Sequence, residues 1–432
     1  MRIVYRVIGA VVVLALGWAI YGSFWRYHVK RFQVVREGVL YRTGQPTELG
    51  LRHLIADHGV KTIVSLQLYD FRLHSGLYDP GDANGAKEAD YVARLGAKHL
   101  QWPMGEEACW PWPTPWQFEA FFALLDDPKN LPVMIHCMGG RHRTGTLSAL
   151  YRLEYDRWPI ERALAEMQSF DFNDCTPLQE HNLRTYLPRP HPAPEVWDQL
   201  ETALGAVVGA PEVTHYEELV RRLRARLDEP AIVTAISEYV TARGAFALPL
   251  VQRLIDDEQS ALVPSAIAAA AKVVEQPKAA QTDWQSAAAL VADFGDRRSQ
   301  RRLQSVLGEE VGASAVSPRY AALAAGVMNR YTRNRIGYLV AMLEDERQRV
   351  EPDASGYRYC DSAVARLVSI TDQPLFRGGP TAANWDRARA AARALLAENP
   401  ALADLGTLAP PNGRNMVRVG DGTTKEDLSR LK

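Results

Sequence analysis

The chain has 432 residues, 47% of them hydrophobic, and a formal net charge of −1 at pH 7. That is enough apolar material for two or three packed domains, and it argues against a disordered chain. The even charge balance excludes a global field for nucleic acid, so any attraction for anions must be local.

First along the chain, Val7 to Trp25 (VIGAVVVLALGWAIYGSFW) carries no charged side chain. About 19 residues at 1.5 Å each cover roughly 28 Å, close to the hydrocarbon thickness of a bilayer. Trp18, Tyr21 and Trp25 gather towards one end, where aromatic rings favour the interface. The run is long for a signal peptide, and no A-x-A cleavage site follows it. The expectation is an uncleaved single-pass membrane anchor over residues 1–30. Arg2 and Arg6 flank one side, and Arg26, Lys30 and Arg31 the other. The short N-terminal tail favours a soluble part on the extracytoplasmic, periplasmic side.

Residues 31–190 alternate strand and helix patterns. FQVV and VLYR read as strands around a turn at Glu37-Gly38, and TELGLRHLIADHG as a helix capped by Thr47 and stopped by Gly59. KTIVSLQL is a strand, GAKEADYVARLG a helix, KHLQWPM a strand and TPWQFEAFFALL a helix. LPVMIHC is a buried strand, followed by the helices TLSALYRLEYD and PIERALAEMQ. Strands separated by helices of this length predict an α/β sheet flanked by helices.

Beyond the proline-rich RPHPAPEVW the strand signals fade. HYEELVRRLRARL, AIVTAISEYVTARG, LPLVQRLIDD, ALVPSAIAAAAKVV, WQSAAALVADFG, RNRIGYLVAMLEDE and CDSAVARLVSI are amphipathic or alanine-rich helical stretches. Residues 191–405 are therefore expected to form an all-α domain, either a HEAT-like stack of helix pairs or an irregular bundle. It is a candidate surface for a protein partner. Residues 406–432 read as an extended tail.

The chemistry concentrates in HCMGGRHRTG, His136 to Gly145, between the strand LPVMIHC and the following helix. Backbone N–H groups of such a turn, and of the first residues of a helix, converge on an anion. Gly139 and Gly140 allow a tight turn with no side chain in the way. Cys137 lies at that focus, where its thiolate is favoured. Arg143 can return across the loop and grip two phosphate oxygens with its planar fork. The Thr144 hydroxyl can donate to the sulfur, and His136 is expected to hydrogen-bond backbone and shape the loop. Met138, Gly139, Gly140, Arg141 and His142 complete the candidate phosphate cradle. The four cysteines, Cys109, Cys137, Cys175 and Cys360, form no CxxC pair, so neither a zinc site nor a disulfide framework is expected.

Cysteine, glycine three positions on, arginine six on and a hydroxyl seven on resemble the H-C-x5-R-[S/T] signature of the cysteine-dependent protein tyrosine phosphatase superfamily. GVLYRTGQPTELGLRHLIADHGVKTIVSLQL is similar to the opening of compact dual-specificity phosphatases, and RHRTG resembles the atypical plant and fungal group and its bacterial relatives. The resemblance runs from about Phe32 to Gln168. It implies a dual-specificity-phosphatase-like α/β domain, a phosphocysteine on Cys137, and no metal or other cofactor. It also implies a substrate phosphorylated on tyrosine, serine or threonine in a protein. The alternatives are an inositol phosphate or phosphoinositide, and a membrane-tethered phosphate-binding scaffold with weak or no activity.

Such enzymes protonate the leaving oxygen, which an aspartate some 30 residues before the cysteine normally does. Here LQWPMGEE offers Glu106, three after Pro103, and Glu107 beside it. Either can serve as the acid; the alternative is that both are solvated loop residues. Asp70 and Glu119 are weaker candidates. In ACWPWPTPW, Trp110, Trp112 and Trp116 either pack among themselves or rim the pocket, and Cys109 is a candidate disulfide partner for oxidised Cys137. Arg141 and His142 either brace the loop or extend its positive field towards a multiply phosphorylated substrate. Arg42 either adds to that field or locks the N-terminal segment to the sheet.

Overall fold

The computed structural model describes residues 12, 17, 18, 20–67, 73, 87–104, 112, 113, 115–172, 177–192, 194–208, 216–255, 260–311, 313–329, 335–350, 356–371 and 381–402. Residues 20–28 are helical (α1). There follow β1 (Gln33–Arg36), β2 (Leu40–Gly44), α2 (Glu48–His58), β3 (Thr62–Ser65), α3 (Glu88–Arg94) and β4 (Lys98–Gln101). Next come α4 (Pro115–Asp126), β5 (Val133–Cys137), α5 (His142–Glu154), α6 (Ile160–Ser169) and α7 (Pro177–Arg184).

Local chemistry accounts for the boundaries. Gly38 takes a φ of 70°, and Val39 N–H donates to the Arg36 carbonyl at 3.0 Å, closing the β1–β2 hairpin. The Thr47 hydroxyl accepts from Gly50 N–H at 3.2 Å, filling an orphan donor at the start of α2, and Gly59 stops that helix at φ 62°. The mixed sheet runs β1-β2-β5-β3-β4, with β1–β2 antiparallel and the remaining pairs parallel. All residues of β2, β3 and β5 are buried, as expected of strands covered on both faces. Tyr41, Ile63 and Met134 of these strands pack with Leu51 and Leu54 of α2 and Val92 of α3.

Among the described residues no helix is long and apolar enough to cross a membrane. This overturns the single-pass anchor expected over Val7–Trp25 and the extracytoplasmic placement that rested on it. Residues 1–11, 13–16 and 19 of that stretch lie outside the described residues. Its aromatic end packs on protein instead. The Trp25 ring stacks on His53 with centroids 4.0 Å apart, and His28 Nδ1 meets Thr47 Oγ1 at 2.6 Å.

By contacts the chain divides into two compact units: Met1–Pro111, Asn130–Ser148 and Ala165–Asn173 form one, and Trp112–Lys129, Ala149–Leu164 and Asp174–Lys432 the other. The first holds the sheet. The second is helical, adding to the segments above α8 (Pro194–Val208), α9 (Tyr216–Arg224), α10 (Pro230–Arg243), α11 (Leu248–Leu254), α12 (Val263–Glu275) and α13 (Gln281–Phe294). It continues through α14 (Arg297–Val311), α15 (Pro318–Met328), α16 (Ile336–Met342), α17 (Tyr359–Thr371) and α18 (Ala382–Glu398). Small residues let its helices approach closely. A Cβ on Gly326 of α15 would lie 2.8 Å from that of Ala288 in α13.

Candidate active site

β5 lies at the centre of the sheet and ends at Cys137, so the turn after it opens at the carboxyl end of parallel strands. Cys137 is a free cysteine, 5% exposed. Met138 to Arg141 bend away from the strand, and α5 begins at His142, its amino-terminal N–H groups following directly on the loop.

The loop is held by its backbone carbonyls. Gln45 N–H donates to the Met138 carbonyl at 3.1 Å, Arg31 Nη1 to that of Gly139 at 3.1 Å and Arg42 Nη2 to that of Gly140 at 2.7 Å. With its carbonyls tied outward, the loop keeps its N–H groups for the opposite side. Arg42 is fully buried, with its guanidinium 4.1 Å from the Phe170 ring centroid. It therefore ties β2 to the loop, a contact that neither of the two roles read from sequence described. Arg31 also donates from Nη2 to Asp171 at 2.7 Å.

The two loop glycines differ. Gly140 has φ 66°, and a Cβ there would lie 2.7 Å from the Gly44 backbone nitrogen. Gly139 has no such conflict, since a Cβ would meet nothing nearer than Arg141 Cγ at 3.7 Å. Gly140→Ala is therefore expected to cost at least about 1 kcal/mol for the left-handed backbone alone, with the backbone collision added to it. Gly139→Ala should be tolerated. Thermal melting with inorganic phosphate titration checks both; equal behaviour of the two variants would contradict the geometry.

Arg143 is partly exposed, and its Nη1 donates to the Leu66 carbonyl at 3.3 Å, beyond the end of β3. Thr144 Oγ1 is buried and has no hydrogen-bond partner among the described residues. Arg141 is exposed, and the His142 ring meets Phe172 edge-on at 5.5 Å. His136 does not use backbone as expected: its Nε2 lies 2.6 Å from Glu88 Oε1.

The segment surrounding this loop matches the family described as "DSP-PTPase phosphatase fused to NAD+ Kinase" over residues 28–184. Over residues 28–184 the chain is similar to this phosphatase family. A 43-residue stretch is 44% identical to the dual specificity protein phosphatase TpbA of Pseudomonas aeruginosa, covering 10% of this chain. That match spans only 20% of the length of the relative. Among solved structures, the core catalytic domain of the PP-IP phosphatase SIW14 from S. cerevisiae is 20% identical, over 42% of this chain and 94% of that one, with a TM-score of 0.29. The crystal structure of P. aeruginosa TpbA is 23% identical, over 32% of this chain and 76% of that one, with a TM-score of 0.24.

Within this segment the structure brings together Cys137, the loop from Met138 to His142, and Arg143 and Thr144 on the first turn of α5. Glu106 and Glu107 lie outside the described residues, as do Asp70, Cys109 and Trp110. Sequence reasoning did not single out Glu88, Arg31 or Gly44. A glycine closing a strand in YRTGQP was a usable sign of close backbone approach. Nothing in KEAD marks its glutamate as buried.

Proposed function

We propose that this chain is a cysteine-dependent phosphatase acting on phosphomonoesters. Cys137 attacks phosphorus, the S–P bond forms, and the P–O bond to the leaving group breaks. The leaving oxygen takes a proton from Glu106 or Glu107. Arg143 and the loop N–H groups hold the three equatorial oxygens, where charge gathers during transfer. Water then adds to phosphorus and the S–P bond breaks, with the Thr144 hydroxyl donating to the departing sulfur. The observation that carries the reading is the placement of buried Cys137 at the end of the central strand, under a left-handed Gly140 and directly before α5.

We place phosphotyrosine, phosphoserine or phosphothreonine in proteins first as substrate, in keeping with the protein-phosphatase name of the Pseudomonas relative. A soluble inositol polyphosphate is the second reading. It is favoured by exposed Arg141 and part-exposed Arg31, which share the acidic neighbour Asp171 and lie on or against the loop. The helical region of residues 191–405 is a candidate platform for a protein partner.

Trapping tests the reading. Brief exposure to a 32P-labelled phosphopeptide or inositol polyphosphate, followed by acid quench, should leave label on Cys137. Absence of label, together with absence of phosphate release from both substrate classes, would overturn it. Glu106→Gln and Glu107→Gln, run alongside, should separate the acid from its neighbour by slowing release of poor leaving groups most.

A further inference from the structure

Three successive peptides of the loop are each held by their carbonyl: Met138 by Gln45 N–H, Gly139 by Arg31 and Gly140 by Arg42. A trans peptide sets its N–H opposite its carbonyl, so each hold aims the following N–H at the cradle. The middle peptide, Gly139–Gly140, is the weakest link. It is flanked by glycine on both sides, and no Cβ resists its rotation. Turned over, it would point the Gly139 oxygen at a bound anion and take the Gly140 N–H away. Its hold is also the exposed one. Gln45 donates from backbone and Arg42 is fully buried, whereas the Arg31 side chain is 28% exposed.

Arg31 is itself fixed from both ends. The Lys30 carbonyl accepts from Gly44 N–H at 2.6 Å and from Thr43 Oγ1 at 2.9 Å, at the end of β2. The second terminal nitrogen of Arg31 donates to Asp171, a carboxylate 65% exposed. Phe170 and Phe172, on either side of Asp171, pack on Arg42 and His142. Arg31 has φ 52° and Asp171 φ 60°, a left-handed backbone that costs energy in residues other than glycine. Such strain persists where its surroundings impose it, and here both strained residues meet in one ion pair beside the loop. The hydrogen bond and charge of Arg31, with a smaller pull from Arg141, hold the Asp171 carboxyl below its ordinary range. The pair is therefore ionised at neutral pH.

We propose that Arg31, clasped by Asp171, is a positioning residue that latches the Gly139–Gly140 peptide and so sets the affinity of the loop for phosphate. The assignment rests on the phosphatase reading for its purpose, since that reading makes the loop a phosphate cradle, but its test needs no turnover.

Inorganic phosphate should protect Cys137 of the full-length protein from iodoacetamide, with the label on the Cys137 peptide read by mass spectrometry. In Arg31→Ala the half-protecting phosphate concentration should rise about tenfold, the scale of one lost hydrogen bond. Arg31→Lys keeps the charge but not the two-handed fork, and should lose about threefold. Asp171→Ala separates a latch from a plain charge. If Arg31 acted through its charge alone, removing an acidic neighbour would tighten phosphate binding. For a latch, Arg31 loses its clamp and binding weakens by about threefold. Asp171→Asn, whose amide oxygen still accepts from Arg31, should stay within about twofold of wild type. The double variant Arg31→Ala with Asp171→Ala should bind no more weakly than Arg31→Ala alone. Tighter binding in Asp171→Ala, or an unchanged half-protecting concentration in Arg31→Ala, overturns the proposal. If Arg31→Ala fails to fold by circular dichroism, the sign of the Asp171→Ala effect decides alone. Wild type that phosphate protects, but that releases none from phosphopeptide or inositol polyphosphate, would end the phosphatase reading and leave the latch standing. Wild type that phosphate does not protect would overturn the latch, whatever its turnover.

Discussion

Cys137→Ser is expected to abolish phosphate release, by about 10⁴-fold or more on the scale of lost nucleophiles in other enzymes, while leaving phosphate binding nearly intact. The asymmetry follows from where the parts sit. A serine oxygen fits the space of the sulfur but is far less ionised, so the attacking lone pair is lost. The cradle is built from other groups: loop carbonyls tied by Gln45, Arg31 and Arg42, the start of α5, and Arg143. Arg143→Lys should act in the complementary way. It keeps a positive charge but loses the planar fork, so both phosphate affinity and turnover fall, the latter by about 10²-fold or more. Initial rates of phosphate release and calorimetric titration with a phosphopeptide separate the two variants. Turnover within tenfold of wild type in Cys137→Ser would remove the nucleophile from the mechanism.

The legibility of this site tracked its locality in sequence. Cys137, Arg143 and Thr144 share one short stretch, and a strand, a tight turn and a helix are each written in nearest-neighbour chemistry. The His136–Glu88 pair spans 48 positions, and only the fold brings it together. Arg42 illustrates the same limit. Its position in YRTGQP was noticed, but whether it faced ligand or loop depended on β2 lying beside β5 in register, with Gly44 opposite Cys137. In the helical unit, apolar stripes at helical spacing marked α9 to α13, α16 and α17. α7, α8, α14, α15 and α18 escaped, α8 and α14 for opposite reasons. α8 begins at Pro194, inside a run of prolines read as a joint, although proline suits the first helical turn. α14 buries only Leu303, Val306 and Leu307 along a strongly charged helix, too narrow a stripe to stand out. The aromatic end of the N-terminal apolar run was misread because hydropathy cannot tell a bilayer from a protein surface. Trp25 and His28 pack on His53 and Thr47.

Arg189→Met is expected to destabilise the protein by about 3–5 kcal/mol, the cost of leaving buried charge without its partner. In the helical unit Arg189 donates to Glu154 and, at 2.8 Å, to Asp126. Arg253 bridges Asp126 at 3.1 Å to Glu217, which it grips with both terminal nitrogens at 2.6 and 2.8 Å. Tyr155 and Tyr186 donate to Asp126 and Glu154. The side chains of Asp126, Glu154, Arg189 and Arg253 are all less than a tenth exposed, so water cannot replace a lost partner. The exposed pair Arg393–Glu344 supplies the control, and Arg393→Met should cost below about 1 kcal/mol. Acid provides a second reading. Burial alone would raise Glu217, but attraction to Arg253 outweighs it and holds the carboxyl at about 2 against an ordinary 4.5. Because the folded value is the lower one, its contribution is complete above pH 4.5 and is lost as pH falls towards 2. A fragment ending at Pro190 would lack Glu217 and Arg253 while retaining Asp126, Glu154 and Arg189. It should therefore unfold more readily than the full chain or aggregate, even though every residue of HCMGGRHRTG is present in it. Urea midpoints for Arg189→Met, Arg393→Met and the fragment decide the matter. A fragment as stable as the full chain would show that the network serves only the helices that follow, and not the α4 and α5 segments that supply Asp126 and Glu154.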